Sequence, residues 1–177
     1  AGQAVLVDQL RAILAVQPLS AVKIMLPMVV DVAEIAATRA VLDRLAREMG
    51  IAGRVELGVM IETPSAALLA GQRVDGLHPA VLRLLAQAAQ GAASHGKWLG
   101  VCGAMASDPV AVPLLIGLGV TELSVSPAVI PEIKAVVRRL NVGECRAAAQ
   151  AALQLTSADA VRAHVKEAWP WLGGVCG

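Results

Sequence analysis

Four times along this chain a short apolar run ends in a tight turn and gives way to a helix with a chemically marked start. That rhythm constrains the fold more than any other feature. The runs are Lys23 to Val29, Val55 to Glu62, Trp98 to Gly103 and Glu122 to Ser126. Thr63-Pro64, Asp108-Pro109 and Ser126-Pro127 each put an N-cap residue before proline at the first helical position, where its fixed φ suits the helix and its missing N–H costs nothing. Asp31-Val32-Ala33-Glu34 has the spacing of a capping box, and the helix it opens runs to Met49 with Ile35, Leu42, Leu45 and Met49 on one face. Strands alternating with helices predict an α/β fold with a parallel sheet and helical crossovers.

One place breaks the rhythm. After the helix at Thr63-Pro64 the chain runs Ala70-Gly71-Gln72-Arg73-Val74-Asp75-Gly76-Leu77 and opens another helix at His78-Pro79, so one strand is missing near residues 70–76. From Asn141 onward the pattern is helical, with a second helix opening near Ser157, and Trp169 to Gly174 reads as the start of an irregular tail. At 177 residues the chain is shorter than the roughly 250 of a complete eight-unit α/β barrel.

Composition excludes several classes. Hydrophobic residues make up 56% and charged residues 16%, enough for a core and too little charge for disorder. Aromatics are 2%, all of them Trp98, Trp169 and Trp171, so base stacking has little to work with, and a net charge of +1 gives no footprint for nucleic acid. The longest apolar run, Pro109 to Val120, is interrupted by prolines and glycines and falls short of the roughly 20 residues that span a bilayer. The start, Ala1-Gly2-Gln3-Ala4, has no basic n-region. Cys102, Cys145 and Cys176 are odd in number and form no CxxC pattern, so the expected setting is a reducing cytoplasm without disulfides or structural zinc.

Strand parity then selects candidate residues. Val55, Leu57, Val59 and Ile61 share one face of their strand, and Gly58, Met60 and Glu62 share the other; in the third strand Trp98, Gly100 and Cys102 oppose Leu99 and Val101. Carboxyl ends of parallel strands face the mouth where substrates bind, and both Glu62 and Cys102 fall there. Glu62 can serve as a Mg²⁺ carboxylate or simply complement a helix macrodipole. Cys102, between Gly100 and Gly103, can act as an acid/base or nucleophile, or be a small buried hydrophobe. His78 reads as a helix-start residue, His95 as part of a helix C-terminal turn, His164 as solvated, and Arg138 and Arg139 as helix-end charges.

Four segments in order carry a family resemblance: Val59-Met60-Ile61-Glu62-Thr63-Pro64-Ser65-Ala66, Leu77-His78-Pro79-Ala80-Val81-Leu82, Gly96-Lys97-Trp98-Leu99-Gly100-Val101-Cys102-Gly103, and Ile116-Gly117-Leu118-Gly119 with Glu122-Leu123-Ser124-Val125-Ser126. Together they resemble the phosphoenolpyruvate-binding domain of enzyme I of the bacterial phosphotransferase system, and the stretches at Ser107-Asp108 and Ser124 to Pro131 resemble fused multiphosphoryl transfer variants. The resemblance implies a (β/α)₈ TIM barrel, here its C-terminal portion over residues 1–168 with a tail at 169–177. It also implies Mg²⁺ and phosphoenolpyruvate at the barrel mouth, with phosphoryl passing to a histidine on a separate domain and onward to the phosphocarrier protein HPr. Glu62 then matches a metal ligand and Cys102 the acid that protonates enolpyruvate to pyruvate. A homodimer is implied as well.

The family's Gly-Thr-Asn-Asp strand and a following arginine have no match here, at the same place where the strand rhythm fails. Strands and arginines preceding Ala1 are also unmatched, and Ala104 stands where a glutamate is common. The chain alone is therefore expected to be inactive. Two other readings compete: a Mg-dependent carbon–carbon lyase or synthase barrel of the citrate lyase type, and a non-catalytic dimerisation module.

Overall fold

A computed structural model describes residues 2–29, 32–60 and 75–174. The chain divides into two compact units, residues 1–72 and 73–177.

In the first unit α1 (Gly2–Leu14) precedes β1 (Lys23–Leu26), α2 (Val32–Glu48) and β2 (Glu56–Val59). β1 and β2 pair in parallel, Ile24 opposite Leu57 and Leu26 opposite Val59. Parity behaves as the sequence predicts: Val55 is buried, Leu57 and Val59 are half-buried, and Glu56 and Gly58 are exposed. On the exposed face Lys23 Nζ reaches Glu56 Oε2 at 3.3 Å. Leu10 and Leu14 of α1, Ile24, Val55, and Leu42 and Leu45 of α2 form the core. Ile35 is only half-buried and Met49 lies beyond the helix end, so the apolar stripe of α2 is narrower than expected. The sequence reading did not identify α1, although Leu6, Leu10 and Leu14 recur every four residues.

The second unit runs α3 (Pro79–Ser94), β3 (Gly100–Cys102), α4 (Gly103–Ala106), α5 (Val112–Gly117), β4 (Glu122–Ser124), α6 (Ile130–Arg138), α7 (Val142–Ala152), α8 (Ala158–Ala168) and a 3-10 turn at Pro170–Gly174. β3 and β4 are parallel, Val101 opposite Leu123 and Cys102 opposite Ser124. The α/β class and parallel pairing match the expectation. The described strands, shorter than predicted, make two two-stranded sheets, β1-β2 and β3-β4.

Helix starts are partly as predicted. His78 Nδ1 accepts the N–H of Ala80 at 3.2 Å, Asn141 Oδ1 accepts from Gly143 and Glu144, and Ser157 Oγ accepts from Ala160. Ser126 is, as expected, the N-cap of a helical start with Pro127 in first position, but that start is a 3-10 segment over Pro127–Val129 that passes into the α-helix at Ile130; Asp108-Pro109 instead precedes a turn, and its regular helix begins at Val112. A second proline explains the delay in each case. Pro113 and Pro131 lack an N–H and would clash with a carbonyl one turn upstream, so each must lie in the first turn of its helix. Thr63-Pro64 and Asp31 lie outside the described residues.

α5 is the centre of the unit, with Val112, Pro113, Leu114 and Leu115 all buried. It packs on α7, which presents Cys145, Ala148, Ala149 and Ala152 to the core. A Cβ on Gly117 would collide with the Cys145 carbonyl and come within 2.8 Å of Ala149 Cβ, so only glycine permits this approach. The segment expected as an irregular tail is corrected by the structure. Trp169 is 6% exposed and Leu172 0%, both members of the core, because two large apolar side chains gain more by burial than a loose end could. Trp171 takes the Arg139 guanidinium over its ring at 3.8 Å, a contact the helix-end reading of Arg139 missed. No helix among the described residues is long and apolar enough to cross a membrane.

All three tryptophans lie in the second unit, so urea unfolding followed by their fluorescence reports on it. Gly117→Ala is expected to lose about 2 kcal/mol or more, as overpacking against backbone does. Gly91→Ala, in the interior of α3 with nothing within 4 Å of the added Cβ, is expected to gain about 0.5–1 kcal/mol. Equal effects at the two sites would refute the packing argument.

Candidate functional site

Cys102 is the last residue of β3 and the N-cap of α4, with φ −122 and ψ −179. The turn that follows depends on Gly103, whose φ of +78 strains any L side chain; the space around it is open, so conformation and not crowding requires glycine there. Leu99 and Val101 pack against the core, so the opposite parity places Gly100 and Cys102 outward. The thiol is exposed and free.

It opens into a cleft of about 550 Å³ lined also by Asp75, Gly76, Met105, Asp108 and Arg162. Arg162 joins the two acids. Its Nε and Nη2 form a fork on Asp75, with Nη2 2.9 Å from Oδ1, and its Nη1 donates to Asp108 Oδ2 at 2.9 Å. Each carboxylate also closes its own turn: Asp75 Oδ1 accepts the N–H of Leu77 at 3.0 Å, and Asp108 Oδ1 that of Val110 at 2.9 Å. Arg162 is itself held by the core, since Val161 and Val165 beside it on α8 are fully buried. An ordinary exposed ion pair is worth about 0.2–1 kcal/mol, and forked, partly buried geometry is where more is gained.

Ionisation follows this geometry. Partial burial pushes Asp75 upward, but the Leu77 N–H and the Arg162 guanidinium outweigh it and hold the carboxyl below its ordinary value. Burial works against the Arg162 charge, and Asp108 and Asp75 outweigh that, raising Arg162. Cys145 is buried, which together with neighbouring Glu144 pushes its thiol up and fits a packing role.

The other candidates among the described residues do not line this cleft. Glu62 lies outside the described residues, as does Cys176. His78 caps α3, and His95 ends it, with Nδ1 3.0 Å from the Gly91 carbonyl oxygen. His164, expected to be solvated, is half-buried, and its Nε2 is enclosed with no hydrogen-bond partner among the described residues, beside a second cavity lined by Glu144 and Trp169. The correction follows from its place on α8, next to the buried Val165, where the helix meets the core. Sequence reasoning missed Arg162 and Asp75 and saw Asp108 only as a cap. Their partners lie 87 and 54 residues away along the chain, beyond any local pattern.

The described residues do not fit a magnesium centre. Among them no group of three or more His, Cys, Asp or Glu converges, and both cleft carboxylates are already engaged by Arg162 and by backbone N–H groups.

The chain is similar to "Phosphoenolpyruvate-protein phosphotransferase" of Mycoplasma genitalium, 35% identical over 195 residues covering 93% of this chain and 34% of that protein. It is similar also to "Multiphosphoryl transfer protein" of Rhodobacter capsulatus, 36% identical over 185 residues covering 87% and 22%. A "Phosphoenolpyruvate-protein phosphotransferase" of Bacillus subtilis is 31% identical over 195 residues covering 90% and 34%. The chain thus spans about a third or less of the length of these curated relatives. An alignment of 195 residues cannot be filled by 177, so the Mycoplasma relative carries residues with no counterpart here. The family "PEP-utilising enzyme, PEP-binding domain" matches in two pieces, residues 2–75 and 71–142, which meet where the strand rhythm fails. Matched over most of its length by that family and by these relatives, the chain belongs to the PEP-utilising enzymes, in their PEP-binding domain.

Proposed function

We propose that this chain is a C-terminal portion of the phosphoenolpyruvate-binding barrel of a phosphoenolpyruvate-protein phosphotransferase, with Cys102 as its proton donor. The observation that carries this reading is an exposed thiol at the carboxyl end of a parallel strand, opening into a cleft. The relatives' names supply the reaction class.

In that reaction the bond between phosphorus and the enol oxygen breaks, and the phosphoryl group goes to a histidine on another domain. The enolate left behind must gain a proton at carbon. The Cys102 S–H bond breaks as the C–H bond forms, and the thiolate is reprotonated from water. A thiol gives up a proton to an enolate carbon without leaving a strongly basic group behind. When bound, Mg²⁺ would neutralise phosphoryl charge. Glu62 is the carboxylate we assign to it, and since the described residues offer no fitting second ligand, no step is built on the metal. The phosphohistidine domain, HPr as onward acceptor, a homodimer and a cytoplasmic setting belong to the same proposal.

Two measurements test it. Bromopyruvate, a reactive carboxylate analogue, is expected to alkylate Cys102 with saturation kinetics, slowed by phosphoenolpyruvate and lost in Cys102→Ala; a rate linear in reagent and indifferent to phosphoenolpyruvate would overturn the site. Calorimetry of the chain with Mg²⁺ and phosphoenolpyruvate is expected to give a Kd weaker than about 1 mM. A Kd near 10 μM or tighter would show that the unmatched strand is dispensable.

A further inference from the structure

The cleft in front of Cys102 is lined by two acids and one base, an odd arrangement for a pocket assigned to an anionic substrate. Left alone, Asp75 and Asp108 would set a double negative charge beside the thiol and repel a carboxylate or phosphate. Arg162 spans both, with its donors on Asp75 and on Asp108. Most of the fork is used in those bonds, so the guanidinium acts mainly on the acids and not as a ligand clamp. We propose that Arg162 is a positioning and specificity-determining residue: by cancelling the lining carboxylates and pinning their turns, it makes the Cys102 cleft permissive to a small anion.

Geometry supports the positioning half. The turn carrying Asp75 continues through Gly76, where a Cβ would sit 3.2 Å from Met105 Cγ, so this turn rests directly on the helix that follows Cys102. The turn carrying Asp108 leads into Val110, Ala111 and Val112, all buried. Among the described residues Arg162 is the one side chain hydrogen-bonded to both acids, and it projects from a helix anchored by Val161 and Val165. Loss of the guanidinium would therefore remove the tie between the two turns and leave two uncompensated charges together.

The inference rests on the proposed function only for which anion enters. Its test uses thiol reagents and no turnover, so failure of the phosphotransferase reading would leave it standing. In a Cys176→Ser background, with Cys145 buried, Cys102 alkylation is timed at low ionic strength with iodoacetate, an anion, and iodoacetamide, its neutral analogue. The ratio of the two rates cancels changes in accessibility and thiolate fraction. Two unit charges about 8 Å apart alter a rate about twofold even at the dielectric of water, and more beside a low-dielectric wall. Arg162→Met is expected to lower the iodoacetate to iodoacetamide ratio at least about threefold. Arg162→Lys, which restores charge without the fork, should recover most of it. Asp108→Asn, which keeps an oxygen to cap its turn, should move the ratio the opposite way, and it decides the matter if Arg162→Met fails to fold. Ratios that stay at the parent value in Asp108→Asn, or in a folded Arg162→Met, would overturn the proposal.

Discussion

The second unit depends on a contact made without side chains on one partner. Gly117, at the end of α5, faces the Cys145 carbonyl and the Ala149 methyl of α7 at a distance no other residue could accept. Several consequences follow along the chain. With α5 locked to α7, the buried run Val110 to Leu115 is fixed, and with it the Asp108 turn that leads into it. α7 in turn packs with α8, whose Val161 and Val165 enter the same core and set the base from which Arg162 reaches both cleft acids. A packing constraint at a glycine thereby governs the wall of a cleft that the glycine does not line.

Scarce aromatic residues make such close packing necessary. A core with neither Phe nor Tyr must gain its dispersion contacts from many small groups at short range. This explains the alanine bias of α7, where Ala148, Ala149 and Ala152 join Cys145 in the core. What looks in sequence like low-complexity composition is a face whose small size is its function. Two of the three tryptophans are used where the chain leaves its last helix: Trp169 fills the core, and Trp171 takes Arg139 on its ring.

Much of this fold was legible locally. The period-2 alternation at Val55, Leu57 and Val59, and again at Leu99 and Val101, fixes which faces are inward, because a pleated strand has only two. Helix starts at His78, Asn141 and Ser157 were legible because a start is a local event: each has an acceptor within three residues of the N–H it satisfies. Where two such signals compete, local reading fails, as at Asp108-Pro109, which the later Pro113 reduces to a turn, while Ser126-Pro127 opens a 3-10 segment before the α-helix that Pro131 begins. Trp169 and Leu172 escaped because burial of a terminal segment depends on a surface built by distant residues. The Arg162 bridges were illegible in a stronger sense, since a charge pair separated by 87 residues leaves no periodicity in either partner's neighbourhood. The strand-end position of Cys102 was legible, and the groups that surround it were not.

The interruption at residues 70–76 bears on how the site can work. Missing strand rhythm, the meeting of the two family matches at 71–75 and the division into two compact units at 72/73 fall at one place. The thiol, the cleft it opens into and the acids and guanidinium that line that cleft all come from residues 75–162, within the second unit. Phosphoryl transfer needs concentrated positive charge, and the cleft's one guanidinium is committed to two carboxylates.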